Sequence, residues 1–401
     1  MTEAEIVGIA SWIAQAGLEG CAEAALVDGF CRRAVAGGLP LARAIAIIDT
    51  LHPVYEGRAF RWDRDKAEIT LQEYGSSDQG EVGERWRKSP LYRLWRSGDS
   101  LMRVRVTPES IAEFPTLAEL SEGSIVDFLA IVNRFAADGV IGEMDCFYSI
   151  WMTDRAAGFS DDEIGALQRL APFLGLAIKS ASLARIAKTL VETYLGRDAG
   201  RRVLSGRIAR GVADRIDTVL WFSDLRDYTR VADTSSPDEI IPLLDDYADA
   251  IVSAIHSNSG DVLKLMGDGV LAIFPAEDRS RACAAALDAA RQAQEAVRDL
   301  NKHRREEGVP TTEMYLGLHV GEVFYGNIGS KDRLDFTVVG PAVNEVSRIT
   351  AMCESVDQPV LMSATFVVLV AEEQRRFVSV GRYALRGVGR PHELFTLNDR
   401  P

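Results

Sequence analysis

The chain has 401 residues, 47% hydrophobic and 26% charged, with a formal net charge of −14. This suits a folded protein of two or three domains, and the acidic excess argues against general nucleic-acid binding. Cys21, Cys31, Cys146, Cys283 and Cys353 form no CxxC or Cys/His cluster, so the expectation is reduced thiols in the cytoplasm rather than a zinc site or disulfide frame. No apolar run approaches the 18 residues of a membrane helix, and the N-terminus "MTEAEIVGIASWIAQAG" lacks a signal-peptide pattern. No membrane partner is expected.

Residues 1–178 read as a mixed α/β module. An opening helix precedes a strand at "RAIAIIDT". A hairpin follows, with Phe60 and Trp62 alternating before the turn "DRDK" and Ile69 and Leu71 after it. "SPLYRLWRSGD" predicts a short helix, and "SIVDFLAIVNRF" and "CFYSIWMT" predict strands around the turn "AADG" at 136–139. The module closes on a helix introduced by "SDDE".

Residues 179–215 form a helical connector. Leu176, Leu183 and Leu190 recur at seven, with Ile186 between, which suits a short parallel coiled coil at a dimer seam. The same residues would also serve a helix packed on its own domain.

Residues 216–401 carry the chemistry. The strand "DTVLWFSD" leads to a helix with a Ser236/Glu239 capping box, Pro237 in its first turn and an apolar stripe of Ile240, Leu244, Tyr247, Ile251 and Ile255. "DVLKLMGDGVLAIF" predicts two strands around a tight Gly-Asp-Gly turn. A long helix, the strands "MYLGLHVGEVFYG" and "DFTVVG", and the helix "PAVNEVSRITAM" complete a β-α-β-β-α-β order, hence an α/β (α+β) chain with a ferredoxin-like core.

Asp224, in "FSDLRDYT", ends the first strand, where an unpaired buried charge is costly. Asp268 sits in the turn "MGDG". In this fold the two strand ends can meet, and paired hard oxygen ligands suit Mg²⁺ completed by water and phosphate. Asp268 alone is equally a solvated turn residue. Lys264, expected on one face with Val262 and Met266, is either an edge device or a ligand contact. Asn344 and Arg348, at i and i+4, share a helix face, as a surface pair or as a phosphate contact.

The set "FSDLRDYT", "LKLMGDGVLAIF", "GLHVGEVFYGNIGS" and "LDFTVVGPAVNEVSR", in this order over residues 216–398, closely resembles the class III nucleotidyl cyclases. The resemblance implies that Asp224 and Asp268 hold two Mg²⁺ or Mn²⁺ ions, joined by the carbonyl of Leu225. It implies that Lys264 and Thr337 read the purine, Asn344 orients the ribose, Arg348 meets the α-phosphate and Arg386 the terminal phosphates. Guanylyl cyclases of the family typically carry Glu at the Lys264 position. A Lys only donates, so ATP is the expected substrate, with cyclic AMP and pyrophosphate as products. The family's site is shared between two catalytic domains, so a homodimer is implied. Two positions depart from the pattern: many members have Gly at Asp227, and some have Arg at Tyr315. For Asp227, capping of the following turn is one expectation.

The module at 1–178 more weakly resembles a GAF-like sensor domain, and "YLGRDAG" resembles a connector of bacterial cyclases. A GAF-like pocket implies a small-molecule ligand of unknown identity. His52 is the sole His before residue 256 and is either a structural residue or a contact to haem or another ligand. Arg85, Arg87, Lys88, Arg93 and Arg96 form either a solvated face or an anion contact.

Overall fold

The computed structural model describes residues 1–75, 80–120, 124–135, 141–142, 144–275, 277–370 and 377–397. The turn expected at 136–139 lies outside them. The chain divides into two compact units, Met1–Leu190 and Val191–Pro401.

In the first unit, α1 (Glu3–Leu18) and α2 (Glu23–Ala36) replace the single opening helix expected. The break is local: α1 closes at Glu19, and Gly20 takes φ 74°. Then come β1 (Arg43–Asp49), β2 (Gly57–Asp63), β3 (Thr70–Tyr74), α3 (Gly80–Arg87), α4 (Pro90–Ser97), β4 (Leu101–Arg105), α5 (Pro108–Glu113), α6 (Thr116–Leu120), β5 (Asp127–Arg134), β6 (Cys146–Thr153) and α7 (Asp161–Leu195). The strands make one antiparallel sheet in the order β3-β2-β1-β6-β5-β4. Strand β6 is central and buried along its whole length. Its alternation feeds two cores: Phe147 and Trp151 pack with α1, α2 and α7, while Cys146, Tyr148, Ile150 and Met152 pack with Leu91, Leu94 and Leu117.

Helix α7 bears on three expectations. It runs unbroken through the boundary drawn at 178/179. It also contains an 18-residue window of mean hydropathy 1.3, long and apolar enough to cross a membrane by length and composition. A run scan misses this because scattered polar residues interrupt the apolar ones. Part of that window is buried: Leu170, Leu174, Ile178 and Ile186 lie in the first unit's core. The seven-residue repeat does not form a free seam either. Ile186 is buried in the same core, Leu183 and Leu190 pack against it, and Leu176 alone is exposed. A stripe repeating at seven and a core-facing stripe look alike over two heptads.

The second unit contains α8 (Arg197–Leu204), β7 (Ala213–Leu225), α9 (Tyr228–Thr234), α10 (Pro237–Ser257), β8 (Asp261–Met266), β9 (Gly269–Phe274), α11 (Arg279–Glu307), β10 (Met314–Gly329), β11 (Leu334–Val339), α12 (Pro341–Val356), β12 (Val360–Ser363), α13 (Ala364–Leu369), β13 (Phe377–Tyr383) and β14 (His392–Leu397). The sheet order is β13-β14-β12-β10-β7-β9-β8, with β11 paired to β10. Its last four strands, β10-β7-β9-β8, have the fourth-first-third-second order of a ferredoxin-like core. Along β7, Val219 and Trp221 face the core shared with α10 and α11. Leu220 and Phe222 face the opposite side, which α8 and α12 cover. Asp224 follows Leu220 and Phe222 by the same alternation, so the fold aims it to the α12 side.

The α10 cap is as expected, with the Ser236 N–H donating to Glu239 at 2.8 Å. Its buried stripe is shifted: Leu243, not Ile240 or Leu244, joins Tyr247, Ile251 and Ile255 in the core. The connector glycine also has a local reason. Gly196 takes φ 87°, and a Cβ there would stand 2.3 Å from the Val262 carbonyl. Only glycine lets the chain turn into α8 against β8. The α8 start is held there by Asp261, which accepts the Asp198 N–H at 3.2 Å.

Candidate active site

Two strand ends bring Asp224 and Asp268 together. Strand β7 pairs with β9 up to Ser223↔Val270, and the β8–β9 hairpin turns through Gly267 and Asp268. Gly267 takes φ 66°, a turn geometry that costs glycine little. One backbone group faces both carboxylates: the Leu225 N–H is 3.2 Å from Asp224 Oδ1 and 3.2 Å from Asp268 Oδ2. Burial, then the Asp268 side chain, raise the Asp224 pKa to about 7. Like charges so placed do not both ionise readily without a cation between them. Among the described residues no cluster of three or more His, Cys, Asp or Glu makes a closed metal site. A pair of hard oxygen donors with open positions fits Mg²⁺ or Mn²⁺ bound together with phosphate oxygens.

Lys264 does not share a face with Val262 as expected. A bulge intervenes: Val262 pairs with Ala272, and Lys264 with Leu271. Two residues then oppose one, which flips the alternation. Val262 enters the α10/α11 core, while Lys264 stands on the other side, opposite Leu271. There it forms an ion pair with Asp335 of β11. Asp335 and Thr337 alternate with the buried Phe336 and Val338, so they share the open face of β11. Lys264 thus meets Asp335, a strand-face neighbour of Thr337 that sequence reading missed.

Asn344 and Arg348 project to solvent from the same side of α12. The helix is registered on the carboxylate strand by Thr350, whose hydroxyl donates to the Phe222 carbonyl at 2.9 Å. Between the two exposed residues, Glu345 points inward and accepts from His319 Nε2 at 2.9 Å. That bond holds its carboxyl below the usual range, against the cost of burial. Arg386 is exposed in the β13–β14 connection, beside Leu385, which packs with Ile349 and Cys353 of α12. No contact ties Arg386 to the carboxylate pair.

Asp227 is the residue before α9, at φ 51°, and its side chain makes no cap hydrogen bond. The capping expectation is therefore corrected. The left-handed backbone explains why Gly suits the position. Tyr315 lies directly across the β7–β10 ladder from Asp224, with the Arg226 guanidinium 5.7 Å from its ring centre. Arg226 also meets Glu313 at 3.1 Å. Beside these residues is a cleft of about 250 Å³ lined by Arg226, Arg230, Arg305, Asp227 and Glu313.

In the first unit, His52 Nδ1 accepts the Val54 N–H at 3.1 Å and the ring stacks on Tyr55. This is a local turn contact and lends haem no support. Arg85 and Arg93 pair with Glu119 and Glu113, and Lys88 lies 3.7 Å from Glu84. Three of the five cations thus have acidic neighbours.

Residues 212–399 match the family model described as the adenylate and guanylate cyclase catalytic domain. This part of the chain is a class III cyclase catalytic domain. The chain is similar to adenylate cyclase 1 of Rhizobium meliloti, 28% identical over 210 residues, or 51% of this chain and 31% of that protein. It is also similar to an adenylate cyclase of Anabaena cylindrica, 30% identical over 217 residues, or 51% of this chain and 42% of that protein. The chain thus spans less than half the length of these relatives. Among solved structures it resembles the adenylyl cyclase CyaB from P. aeruginosa, at 22% identity and a TM-score of 0.43, covering 47% of this chain and 97% of that one. Class III cyclase domains generally use divalent metals, and the carboxylate pair fits that chemistry.

Proposed function

We propose that the protein is an adenylyl cyclase, converting ATP to 3′,5′-cyclic AMP and pyrophosphate at sites shared within a homodimer. The observation that carries the reading is the meeting of Asp224 and Asp268 at one N–H in a cyclase catalytic domain. The choice of ATP rests on Lys264 and Thr337, one a donor and the other able to accept, on the adjoining faces of β8 and β11. Two relatives that bear the name adenylate cyclase support it.

Asp224 and Asp268, with the Leu225 carbonyl, would hold two Mg²⁺ or Mn²⁺ ions. When bound, the ions supply positive charge at the phosphates. Lys264 donates to the purine ring nitrogen, and Thr337 accepts from the exocyclic amine. Asn344 orients the ribose. The ribose 3′-hydroxyl gives up its proton to water, its oxygen bonds to the α-phosphorus, and the bond to the β-phosphate oxygen breaks to release pyrophosphate. Arg348 stabilises the charge that develops at the α-phosphate, and Arg386 meets the departing phosphates. Positioning and electrostatics supply most of the acceleration in phosphoryl transfer.

Exposed Leu265, Met266, Phe324, Leu334 and Val339 flank Lys264 and Thr337 on β8, β10 and β11. Apolar exposure of this kind suits a protein interface. In the proposed dimer the carboxylate pair of one copy faces Lys264, Thr337, Asn344 and Arg348 of the other. The first unit, a helix-flanked six-stranded sheet, is proposed as a GAF-like regulatory module for a small ligand. Five free cysteines fit a cytoplasmic setting, where ATP is available.

Purified protein incubated with ATP or GTP and Mn²⁺ tests the reading. Cyclic AMP from ATP is expected, and Asp224→Ala abolishes it. Absence of cyclic AMP across a wide enzyme range overturns the assignment; a higher kcat/KM with GTP favours guanylyl cyclase, the alternative reading.

A further inference from the structure

The motif "GLHVGEV" contributes no residue to the proposed chemistry, yet three of its side-chain positions face α12. Gly317, His319 and Gly321 alternate on one face of β10. A Cβ at Gly317 would stand 2.4 Å from Thr350 Oγ1 and 2.9 Å from the Val346 carbonyl oxygen; one at Gly321 would stand 2.5 Å from Ala342 Cβ. Helix α12 therefore lies flush on bare backbone at two places. Bare backbone permits close approach but offers no ridges to stop a helix from rolling or sliding.

His319 fills the space between the glycines and is 4% exposed. Its Nε2 lies 2.9 Å from Glu345 Oε2, and its Nδ1 lies 2.8 Å from Ser363 Oγ at the end of β12. His392 of β14 approaches the same Glu345 oxygen at 4.0 Å. Glu345 adjoins Asn344 and precedes Arg348 by three residues. We propose that His319 and Glu345 are a positioning pair: their hydrogen bond fixes the roll of α12 on its glycine cradle and so aims Asn344 and Arg348.

Geometry sets the scale of the effect. A roll of about 20° carries a guanidinium at about 8 Å from the helix axis through roughly 3 Å. A misplacement of about 1 Å already costs on the order of a hundredfold in rate. Thr350 anchors the C-terminal half of α12. Without Glu345, the half that carries Asn344 has no polar anchor of this kind among the described residues. The inference rests on the cyclase reading for its kinetic part and on the fold alone for its mechanical part.

The test uses the full chain as wild type, Glu345→Ala and Glu345→Gln, measured by kinetics with ATP and Mn²⁺ and by amide hydrogen exchange. Glu345→Ala is expected to lower kcat at least tenfold while KM stays within about twofold, because Asn344 and Arg348 act in the transition state. Exchange at 343–347 should quicken at least tenfold. Glu345→Gln, whose amide oxygen can still accept from His319, should stay within about threefold of wild type on both readouts. Should Glu345→Ala not fold, His319→Leu against His319→Gln makes the same comparison. Glu345→Gln as impaired as Glu345→Ala, or Glu345→Ala with wild-type kcat and exchange, overturns the proposal. If wild type itself makes no cyclic nucleotide, the cyclase reading fails and exchange alone decides the pair: faster exchange in Glu345→Ala supports it, unchanged exchange overturns it.

Discussion

The Thr350 hydroxyl lies 2.9 Å from the Phe222 carbonyl and 3.0 Å from the Val346 carbonyl, so its one proton is shared between the strand of Asp224 and its own helix, that of Arg348. Thr350 is buried, so its loss is not repaired by bulk water. Thr350→Val keeps the shape and removes the donor. A buried hydrogen bond of this kind contributes about 1 kcal/mol. In a unit of about 200 residues that corresponds to a Tm lower by roughly 2–4 °C. Calorimetry of the variant checks this, and an unchanged Tm would show that the bond carries no net stability.

Asp224 gives a pH prediction with a definite sign. Its folded pKa, about 7, lies above the unfolded value. In the metal-free protein its ionisation therefore costs stability, a cost absent below about pH 4 and complete above pH 7. Asp224→Asn resembles the protonated form at every pH. Its Tm should match wild type near pH 4 and exceed it increasingly up to pH 7.5. Divalent metal competes with the same proton, so apparent Mn²⁺ affinity of wild type should fall about tenfold per pH unit below 7. Calorimetric titration measures it; affinity independent of pH between 5 and 7 would remove Asp224 from the ligand set.

Asp227 sits at φ 51° without a cap hydrogen bond, and its nearest cation, Arg230, is 3.7 Å away on the surface. An exposed pair at that distance contributes at most about 1 kcal/mol. Backbone conformation should then dominate substitution: a left-handed residue costs Ala roughly 1–2 kcal/mol and Gly very little. Thermal melts should rank Asp227→Gly at or above wild type and Asp227→Ala clearly below it. Equal Gly and Ala variants would mean that the side chain, not the backbone, sets the preference.

The parts of the candidate site in the second unit were legible because each signal is local. A strand ending on Asp224, a Gly-Asp-Gly turn and an i, i+4 pair on α12 each fall within a few residues. What joins them is not local. Asp335 meets Lys264 across 71 residues, and His319 meets Ser363 across 44. The bulge that turns Lys264 to the site side depends on how β8 pairs with β9, which no single strand encodes. In the first unit β5 and β6 were legible as nearly continuous apolar runs, because both of their faces are buried. The leucine repeat on α7 did not decide between a core-facing helix and a short coiled coil, because the two share nearly the same spacing.

The Lys264–Asp335 ion pair bears on the proposed purine contact, in which the substrate must share or displace it. Both side chains are more than 40% exposed, at 42% and 44%. An exposed pair is worth about 0.2–1 kcal/mol, or at most roughly fivefold in an equilibrium constant. Asp335→Asn should therefore change KM for ATP by less than about fivefold while leaving Lys264 free to donate. Lys264→Met removes the donor itself, and a hydrogen bond to a charged group is worth about 1.5–3 kcal/mol. That variant should lose between roughly ten- and a hundredfold in kcat/KM for ATP. Lys264→Glu goes further: it supplies an acceptor suited to guanine, but beside Asp335 it faces a like charge. The GTP to ATP preference should thus shift more in the Lys264→Glu/Asp335→Asn double variant than in Lys264→Glu alone. Kinetics with both nucleotides measures the two ratios, and equal ratios would show that Asp335 does not act on the purine through Lys264.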